Sequence, residues 1–387
     1  MTQTRNSPSV TDQHAPPAQL AVGIAITFVI GVLLACQSRV NGQLGAELHD
    51  GIVAATWSFG SGLVVLVIVA ALVPGVRSGL RSVVGALHAG RGSSSSSSSS
   101  GTERDGGAAG TASPWALRPW QVLGGVCGAY LVVTQSATVG LVGVAVFTVA
   151  VVAGQAGSSL VVDRLGLGPG GRQPVTTRRM VGAVLALGAV VLTVAHQLGT
   201  PSTAALAILP ALAGVGTAWQ QAVNGRVARA AAGAPAAGAP AAGAKGPRTA
   251  SGSRPAGTNG NGLLAALVAA LTNFGVGTAA LVIAAAVDVG LRGLPASWPS
   301  NPLLYVGGLF GIAFISLAAY VVKITGVLLL GLTSVAGQLV GALVLDAALP
   351  TSSAHLTTTT IIGTLLTLVA VGIAAAPARR RSGATSG

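Results

Sequence analysis

The sequence predicts an all-α membrane protein of about ten transmembrane helices, arranged as two inverted five-helix repeats. Three observations support this fold class: an apolar composition, a series of apolar segments of membrane-spanning length, and polar motifs that recur in the second half of the chain. Of the 387 residues, 51% are hydrophobic and only 7% are charged. Soluble domains carry roughly 25% charged residues, so this chain lacks the charge to cover a water-exposed surface and belongs in a bilayer.

The apolar segments fix the number of predicted helices. A hydrocarbon core of about 30 Å requires about 20 apolar residues per helix. No run alternates as a strand of a membrane barrel does, which leaves helices as the spanning element. Ten segments reach or approach this length: residues 20–40, 52–73, 120–139, 141–162, 180–198, 204–224, 263–287, 302–322, 326–349 and 357–376. The third and fourth meet at Gly140, and the eighth and ninth meet near Gly326.

The remaining segments are polar and have the composition of tails or linkers. Residues 1–19 and the basic residues 377–387 are the two predicted tails. Residues 74–118 contain a run of serines, Ser93 to Ser100, and residues 226–261 are rich in Ala, Gly and Pro. We expect both linkers to lack regular structure. They interrupt a first repeat over residues 20–198 and a second repeat over residues 199–376.

The basic residues predict the orientation. With ten helices, 19 of the 21 Lys and Arg residues fall on one side of the membrane, and only Arg39 and Arg292 fall on the other. By the positive-inside rule the rich side is cytoplasmic, and both termini lie there. The same placement explains the net charge of +13. No basic patch with interleaved aromatic residues is present, so we expect a lipid bilayer and no nucleic acid as partner.

Rare polar residues within the apolar runs recur 183 residues later. The matching pairs are Gln37 and Gln220, Asn41 and Asn224, Gln155 and Gln338, and Asp163 and Asp346. A further motif, Ser58-Phe59-Gly60-Ser61-Gly62, recurs as Asn273-Phe274-Gly275-Val276-Gly277 at an offset of 215. Each repeat holds five predicted helices, and an odd number inverts the second repeat relative to the first. Inverted repeats are typical of secondary transporters.

These motifs resemble the drug/metabolite transporter superfamily, and within it the YdcZ-like branch of bacterial inner-membrane proteins, related to EamA-like transporters. The resemblance is carried by Gln37-Ser-Arg-Val-Asn41-Gly, by Ser58-Phe59-Gly60-Ser-Gly62, by Ala153-Gly154-Gln155 followed by Asp163-Arg164-Leu165-Gly166, and by their second-half partners. It implies a multi-pass protein of the bacterial plasma membrane. It also implies five-plus-five helices and transport of a small metabolite or drug-like molecule, as an exporter or exchanger, by alternating access.

Polar side chains at membrane depth are the candidate functional residues, because leaving them unpaired there costs several kcal/mol. Gln37 and Asn41 are four residues apart and share a helical face, as do Gln220 and Asn224. In the predicted topology the first pair lies toward the outside and the second toward the cytoplasm. We therefore expect two symmetric gates around a central cavity, with structural polar contacts as the alternative interpretation.

The fourth and ninth predicted helices carry the other candidates. Gln155, Ser159 and Asp163 form a stripe at four-residue intervals, and Gln338 and Asp346 occupy the matching positions. We assign Gln155 and Gln338 to the substrate pathway. The first predicted helix contains no carboxylate of the kind that small multidrug antiporters use to exchange protons. Any proton coupling is therefore assigned to Asp163 or Asp346.

Other function classes fit the sequence less well. The five histidines are scattered and form no His-Glu-x-x-His cluster, and no phosphate-binding Walker A motif occurs. We therefore expect no enzyme activity, no cofactor and no metal site. The alternative to a transporter of a small-molecule substrate is a non-transporting assembly or structural partner of other membrane proteins. Homo-oligomerisation is left open.

Overall fold

The computed structural model describes residues 17–95, 116–168, 176–195, 201–233, 261–350 and 357–375. Within these residues the fold is all-helical, as predicted, and no strand occurs. Short 3₁₀ turns at Pro119–Val122 and Pro302–Tyr305 precede two of the helices. The helices are α1 (Pro17–Leu48), α2 (Gly51–Leu72), α3 (Pro74–Ser95), α4 (Gly124–Leu165), α5 (Thr177–Ala195), α6 (Pro201–Gly233), α7 (Asn261–Arg292), α8 (Gly307–Ala348) and α9 (Thr358–Ala375).

Several helices are apolar and long enough to cross a membrane. In the described part of the chain, five candidate spans are Ala21–Leu48, Gly51–Leu72, Pro119–Leu165, Gly262–Arg292 and Gly331–Ala348. Two shorter apolar helices cover Met180–Ala189 and Thr358–Ile373. The predicted C-terminal tail, nearly all of the N-terminal tail and much of both predicted linkers lie outside the described residues.

The first helix is longer than predicted. We expected it to end at residue 40, but α1 continues to Leu48, and α2 begins at Gly51. Leu44 and Leu48 are buried against Val53 of α2 and Leu304, which explains the extra turns. Asp50 then begins α2 by accepting hydrogen bonds from the backbone N–H groups of Ile52 and Val53, both at 2.9 Å.

Helix α4 is broken at Gly143. Its 42 residues, if straight, would extend about 63 Å, roughly twice the thickness of a hydrocarbon core. Gly143 has φ 85° and ψ 163°, a conformation that glycine adopts readily because it has no Cβ. The two helical segments that we predicted to meet at Gly140 therefore meet three residues later.

Both arms of α4 pack against the same stretch of α6. Gly124 in the first arm contacts Val223, and Gly154 in the second contacts Ala211. Thirty residues of straight helix span about 45 Å, whereas the twelve residues from Ala211 to Val223 span about 18 Å. Helix α4 therefore bends back on itself at Gly143. Helix α8, also 42 residues long, bends in the same way, since its Gly307 contacts Asn41 and its Gly337 contacts Phe28 of α1.

The two halves contact each other reciprocally. Gly31 of α1 packs on the backbone of α8 at Ser334, and its counterpart Gly214 of α6 packs on the backbone of α4 at Val151. Each member of one contact lies 183 residues from the matching member of the other. Phe59 of α2 and its own counterpart Phe274 of α7 stack on each other, with ring centroids 4.9 Å apart.

The first predicted linker contains a helix, which corrects our expectation of no regular structure. Helix α3 occupies Pro74–Ser95, and its Val76, Val83 and Ala86 are buried. They pack with residues of α6 and α7 in the largest apolar cluster of the described chain. The glycines and serines of this segment concealed the spacing of these three apolar side chains. The second linker also begins later than predicted, because α6 continues to Gly233.

Candidate functional site

The first predicted polar pair lies in a buried cluster between α1 and α4. Asn41 is only 1% exposed, and its Nδ2 donates a hydrogen bond to Oε1 of Gln135 at 2.8 Å. Gln135 Nε2 in turn donates to the hydroxyl of Ser38 at 3.0 Å. Gln37 is also buried and lies against Gly311 of α8, where an added methyl group would be 3.4 Å from its Nε2. The cluster therefore ties α1 to α4 and places α8 beside it.

One atom of this cluster lacks a partner. Within the described residues, the buried Oδ1 of Asn41 accepts no hydrogen bond. It faces Gly307 at the start of α8, where an added methyl group would be 2.1 Å away. A buried acceptor without a partner is costly, so this contact is weaker than a fully paired amide cluster would be.

The second predicted pair lies in a separate cluster between α6 and α7. Gln220 Nε2 donates to Oδ1 of Asn273 at 2.9 Å, and Asn224 Nδ2 donates to the same oxygen at 3.3 Å. Gly124 and Gly128 of α4 lie against Asn224 and Gln220, as Gly307 and Gly311 of α8 lie against Asn41 and Gln37. The structure thus brings each pair together, and no printed hydrogen bond joins the two clusters.

Asp346 of α8 holds the break in α4. Its Oδ1 accepts a hydrogen bond from the backbone N–H of Val144 at 2.9 Å, and its Oδ2 accepts one from Ala145 at 2.7 Å. These N–H groups begin the second arm of α4, where no preceding helical turn supplies carbonyl acceptors. Asp346 is 8% exposed, so its carboxylate acts as a buried helix cap supplied by another helix.

Asp163 lies at the other end of the same arm, in the last turn of α4. Helix α4 ends at Gly166, with φ 68°, and the carbonyl groups beyond Asp163 are bound by Arg226 of α6. The Arg226 side chain donates to the carbonyl of Leu167 at 2.5 Å and to that of Gly166 at 2.7 Å. A cation is favourable at a helix C-terminus because it offsets the helix dipole.

A cavity of about 290 Å³ lies among α4, α5, α8 and α9. Among the described residues that line it, none is charged, and only Gln155 and Ser159 are polar. Gln155 Nε2 donates to Oε1 of Gln221 at 3.1 Å, and the Ser159 hydroxyl donates to the carbonyl of Ala156 at 2.8 Å. The other lining residues are Val152, Ala156, Leu160, Gly182, Ala183, Ala186, Gly331, Leu332, Val335, Ala370 and Val371. Apolar walls with few polar groups are typical of small-molecule sites.

The repeat partner of Gln155 has another environment. Gln338 is half-buried in α8 and is not among the residues that line the cavity. Its backbone packs against Gly31 of α1, where an added methyl group would be 2.5 Å from the Gln338 nitrogen. The cavity therefore lies on the Gln155 side alone, although Val152 and Val335, which are repeat partners, both line it.

The comparisons with known proteins point to one family. A sequence profile described as "Putative inner membrane exporter, YdcZ" matches residues 22–86, 104–192 and 256–373, which are most of the chain. The chain belongs to this family. No curated protein matches it. The apolar helices and the family together make it a membrane protein of the exporter kind, which agrees with the resemblance carried by the sequence motifs.

Two residues of the clusters in this YdcZ-family chain were not among the predicted site residues. Gln135 connects Asn41 with Ser38, and Asn273 accepts hydrogen bonds from both Gln220 and Asn224. The signal that would have found them is an amide side chain inside an apolar run. Gln135 has no polar repeat partner, since Ala318 stands 183 residues later, and the repeat comparison therefore passed over it.

Proposed function

We propose that this chain is a secondary transporter that exports a small, uncharged and mostly apolar molecule by alternating access. The cavity among α4, α5, α8 and α9 carries the proposal, since its walls are apolar and its polar groups are Gln155 and Ser159. An uncharged cavity disfavours a charged substrate because a buried charge requires a partner. The two polar groups would bind one hydrogen-bonding group of the substrate and orient it.

The proposed topology consists of ten spans in two inverted repeats, with both termini in the cytoplasm. The charge distribution and the bends in α4 and α8 support it, because each bent helix would supply two spans. The reciprocal contacts between the halves support a two-fold relation between the repeats. In this topology, Gln155 lies in the arm of α4 that returns to the cytoplasm. The α5 and α9 residues that line the cavity also lie at their cytoplasmic ends, so the cavity belongs to an inward-facing state.

The two polar clusters are the proposed gates. The Asn41 cluster would close the external side and the Asn224 cluster the cytoplasmic side. The Asn41 cluster is more deeply buried, since Asn41 is 1% exposed whereas Asn224 and Gln220 are half-buried. That difference agrees with an inward-facing state, in which the external gate is closed and the cytoplasmic gate is looser.

Transport by the purified protein in proteoliposomes tests the proposal. Uptake of a panel of small molecules that differ in charge and polarity is measured for the wild type and for Gln155→Ala. Loss of one hydrogen bond worth about 0.5–1.5 kcal/mol should raise KM for an uncharged substrate about two- to tenfold. Gln43→Ala is the matched control, because Gln43 is exposed on α1 and bonds only to Glu47 in the described chain.

Three outcomes would contradict the proposal. In the first, the wild type moves no member of the panel yet co-purifies with a second membrane protein whose assembly requires it, which favours the alternative role as an assembly partner. In the second, charged molecules are transported in preference to uncharged ones. In the third, Gln155→Ala has the same KM as Gln43→Ala, which removes Gln155 from the pathway. Proton coupling through Asp163 or Asp346 is tested by the same assay with and without a pH gradient.

A further inference from the structure

Helix α3 has one face that anchors it to the bundle. Val76, Val83 and Ala86 are buried, and they pack with Val227 of α6 and Val268 of α7. Leu117 closes the far end, since its backbone N–H donates to the carbonyl of Ala86 at 3.0 Å. The helix is therefore held in one orientation, and its remaining surface is defined.

The remaining surface of α3 is divided into two edges. At 100° per residue, Leu80, Val84, Arg77 and Arg81 form one exposed edge. Leu80 is 36% exposed and Val84 is 46% exposed. The other edge is exposed at Ser78 and carries serine and glycine instead. One edge of the same helix is thus apolar and basic, while the other is small and neutral.

The apolar and basic edge lies at the end of a membrane-crossing helix. The candidate span Gly51–Leu72 ends one residue before α3 begins at Pro74. Arg77 Nη1 donates to the carbonyl of Ala71, in the last turn of that span, at 3.0 Å. The edge that contains Arg77 therefore faces the end of the span, which is where the hydrocarbon core gives way to the headgroups.

We propose that α3 is an interfacial helix that binds anionic phospholipid headgroups through Arg81 and Arg77. Leu80 and Val84 insert at the boundary of the acyl chains. Guanidinium groups bind phosphate oxygens strongly, and exposed apolar residues beside them are typical of helices that lie in the membrane surface. The occupant is an anionic lipid rather than a second protein, because basic charge is complementary to the anionic headgroup and the edge lies at headgroup level. This binding is independent of the transported substrate.

The depth of the helix is the first test. Full-length protein with Cys36→Ala and Cys127→Ala receives a fluorophore at Val84→Cys or at Ser78→Cys, which is the matched control on the other edge of α3. In nanodiscs that contain a lipid with a nitroxide near its ester groups, the label at position 84 should be quenched more strongly than that at position 78. Equal quenching, or stronger quenching at position 78, would overturn the proposed orientation.

The charge dependence is the second test and keeps the native cysteines. Binding of fluorescent phosphatidylglycerol is measured in phosphatidylcholine nanodiscs for the wild type, Arg81→Gln and Arg81→Lys. One basic residue near an anionic surface contributes about a fivefold change in affinity. Arg81→Gln should therefore bind about fivefold more weakly, Arg81→Lys should bind nearly as the wild type does, and added salt should reduce the difference.

Arg164→Gln is the control for loss of one positive charge elsewhere. Arg164 is exposed in the last turn of α4, away from the α3 edge. We expect its affinity for phosphatidylglycerol to match the wild type. Wild-type affinity in Arg81→Gln, or an equal loss in Arg81→Gln and Arg164→Gln, would overturn the assignment of the lipid site to α3. Neither outcome depends on transport, so failure here is distinct from failure of the proposed function.

Discussion

Replacement of Asp346 should destabilise the protein through the break in α4 rather than through any effect on the surface. Each of its two hydrogen bonds to the backbone N–H groups of Val144 and Ala145 involves a charged acceptor. Such bonds are worth roughly 1.5–3 kcal/mol each. Asp346→Ala leaves both N–H groups without their acceptor and should lower the free energy of unfolding by about 3–6 kcal/mol. Asp346→Asn keeps one acceptor oxygen and should lower it by about 1.5–3 kcal/mol.

The assay is unfolding of the detergent-solubilised protein by increasing denaturant, followed by tryptophan fluorescence. The free energy of unfolding should fall in the order wild type, Asp346→Asn, Asp346→Ala. Glu47→Gln serves as the control, because Glu47 is exposed and accepts a hydrogen bond from Gln43 on the same helix. Surface changes of this kind usually alter stability by less than about 0.5 kcal/mol.

The capping role and the proton-coupling role of Asp346 give different results. If Asp346 caps the second arm of α4, stability falls in both variants. If it carries protons alone, Asp346→Asn retains wild-type stability and loses only the dependence of transport on a pH gradient. Wild-type stability in Asp346→Ala would refute the capping argument altogether. Loss of both stability and proton dependence would indicate that protonation of Asp346 is linked to movement at Gly143.

Three further predictions follow from the packing, the polar clusters and the charge distribution. Gly307→Ala should destabilise the protein, because the added methyl group would lie 2.1 Å from Asn41 Oδ1, whereas Gly60→Ala, with nothing within 4 Å, should not; thermal unfolding compares them. Asn41→Ala should increase labelling of cavity cysteines from outside and Asn224→Ala from inside, each about fivefold for a contact worth about 1 kcal/mol, and wild-type labelling in both would refute the gates. Reporter fusions after Ser95 and at the C-terminus should both report the cytoplasm, and an external report from either would refute the proposed topology.

The apolar helices could be predicted because a membrane span requires about 20 apolar residues, a requirement that sequence alone displays. The repeat could be predicted because amides and carboxylates are rare in such runs. Helix α3 could not, since Gly and Ser are weak helix formers and its order comes from packing on α6 and α7. The cap of Asp346 on Val144 joins residues 202 positions apart, and no local pattern indicates such a contact.

The positions of the site residues were predicted better than their partners. Gln37 and Asn41 share a buried cluster, and Gln220 and Asn224 share another, as four-residue spacing on a helix requires. The sequence did not indicate that Gln135 completes the first cluster and Asn273 the second. Gln155 and Gln338 were assigned one role by their equivalence, yet only Gln155 lines the cavity. Equivalent positions in a repeat need not have equivalent environments at one moment of a transport cycle.

The stacking of Phe59 on Phe274 has a mechanical consequence. These rings occupy equivalent positions of the two repeats, and each also packs against the glycine of the opposite motif, Phe59 on Gly277 and Phe274 on Gly62. When two repeats exchange conformations, a contact between non-equivalent residues is replaced by its mirror contact in the other half. A contact between equivalent residues maps onto itself and need not break. The phenylalanine pair can therefore serve as a stationary pivot, around which the glycine, asparagine and glutamine contacts are exchanged.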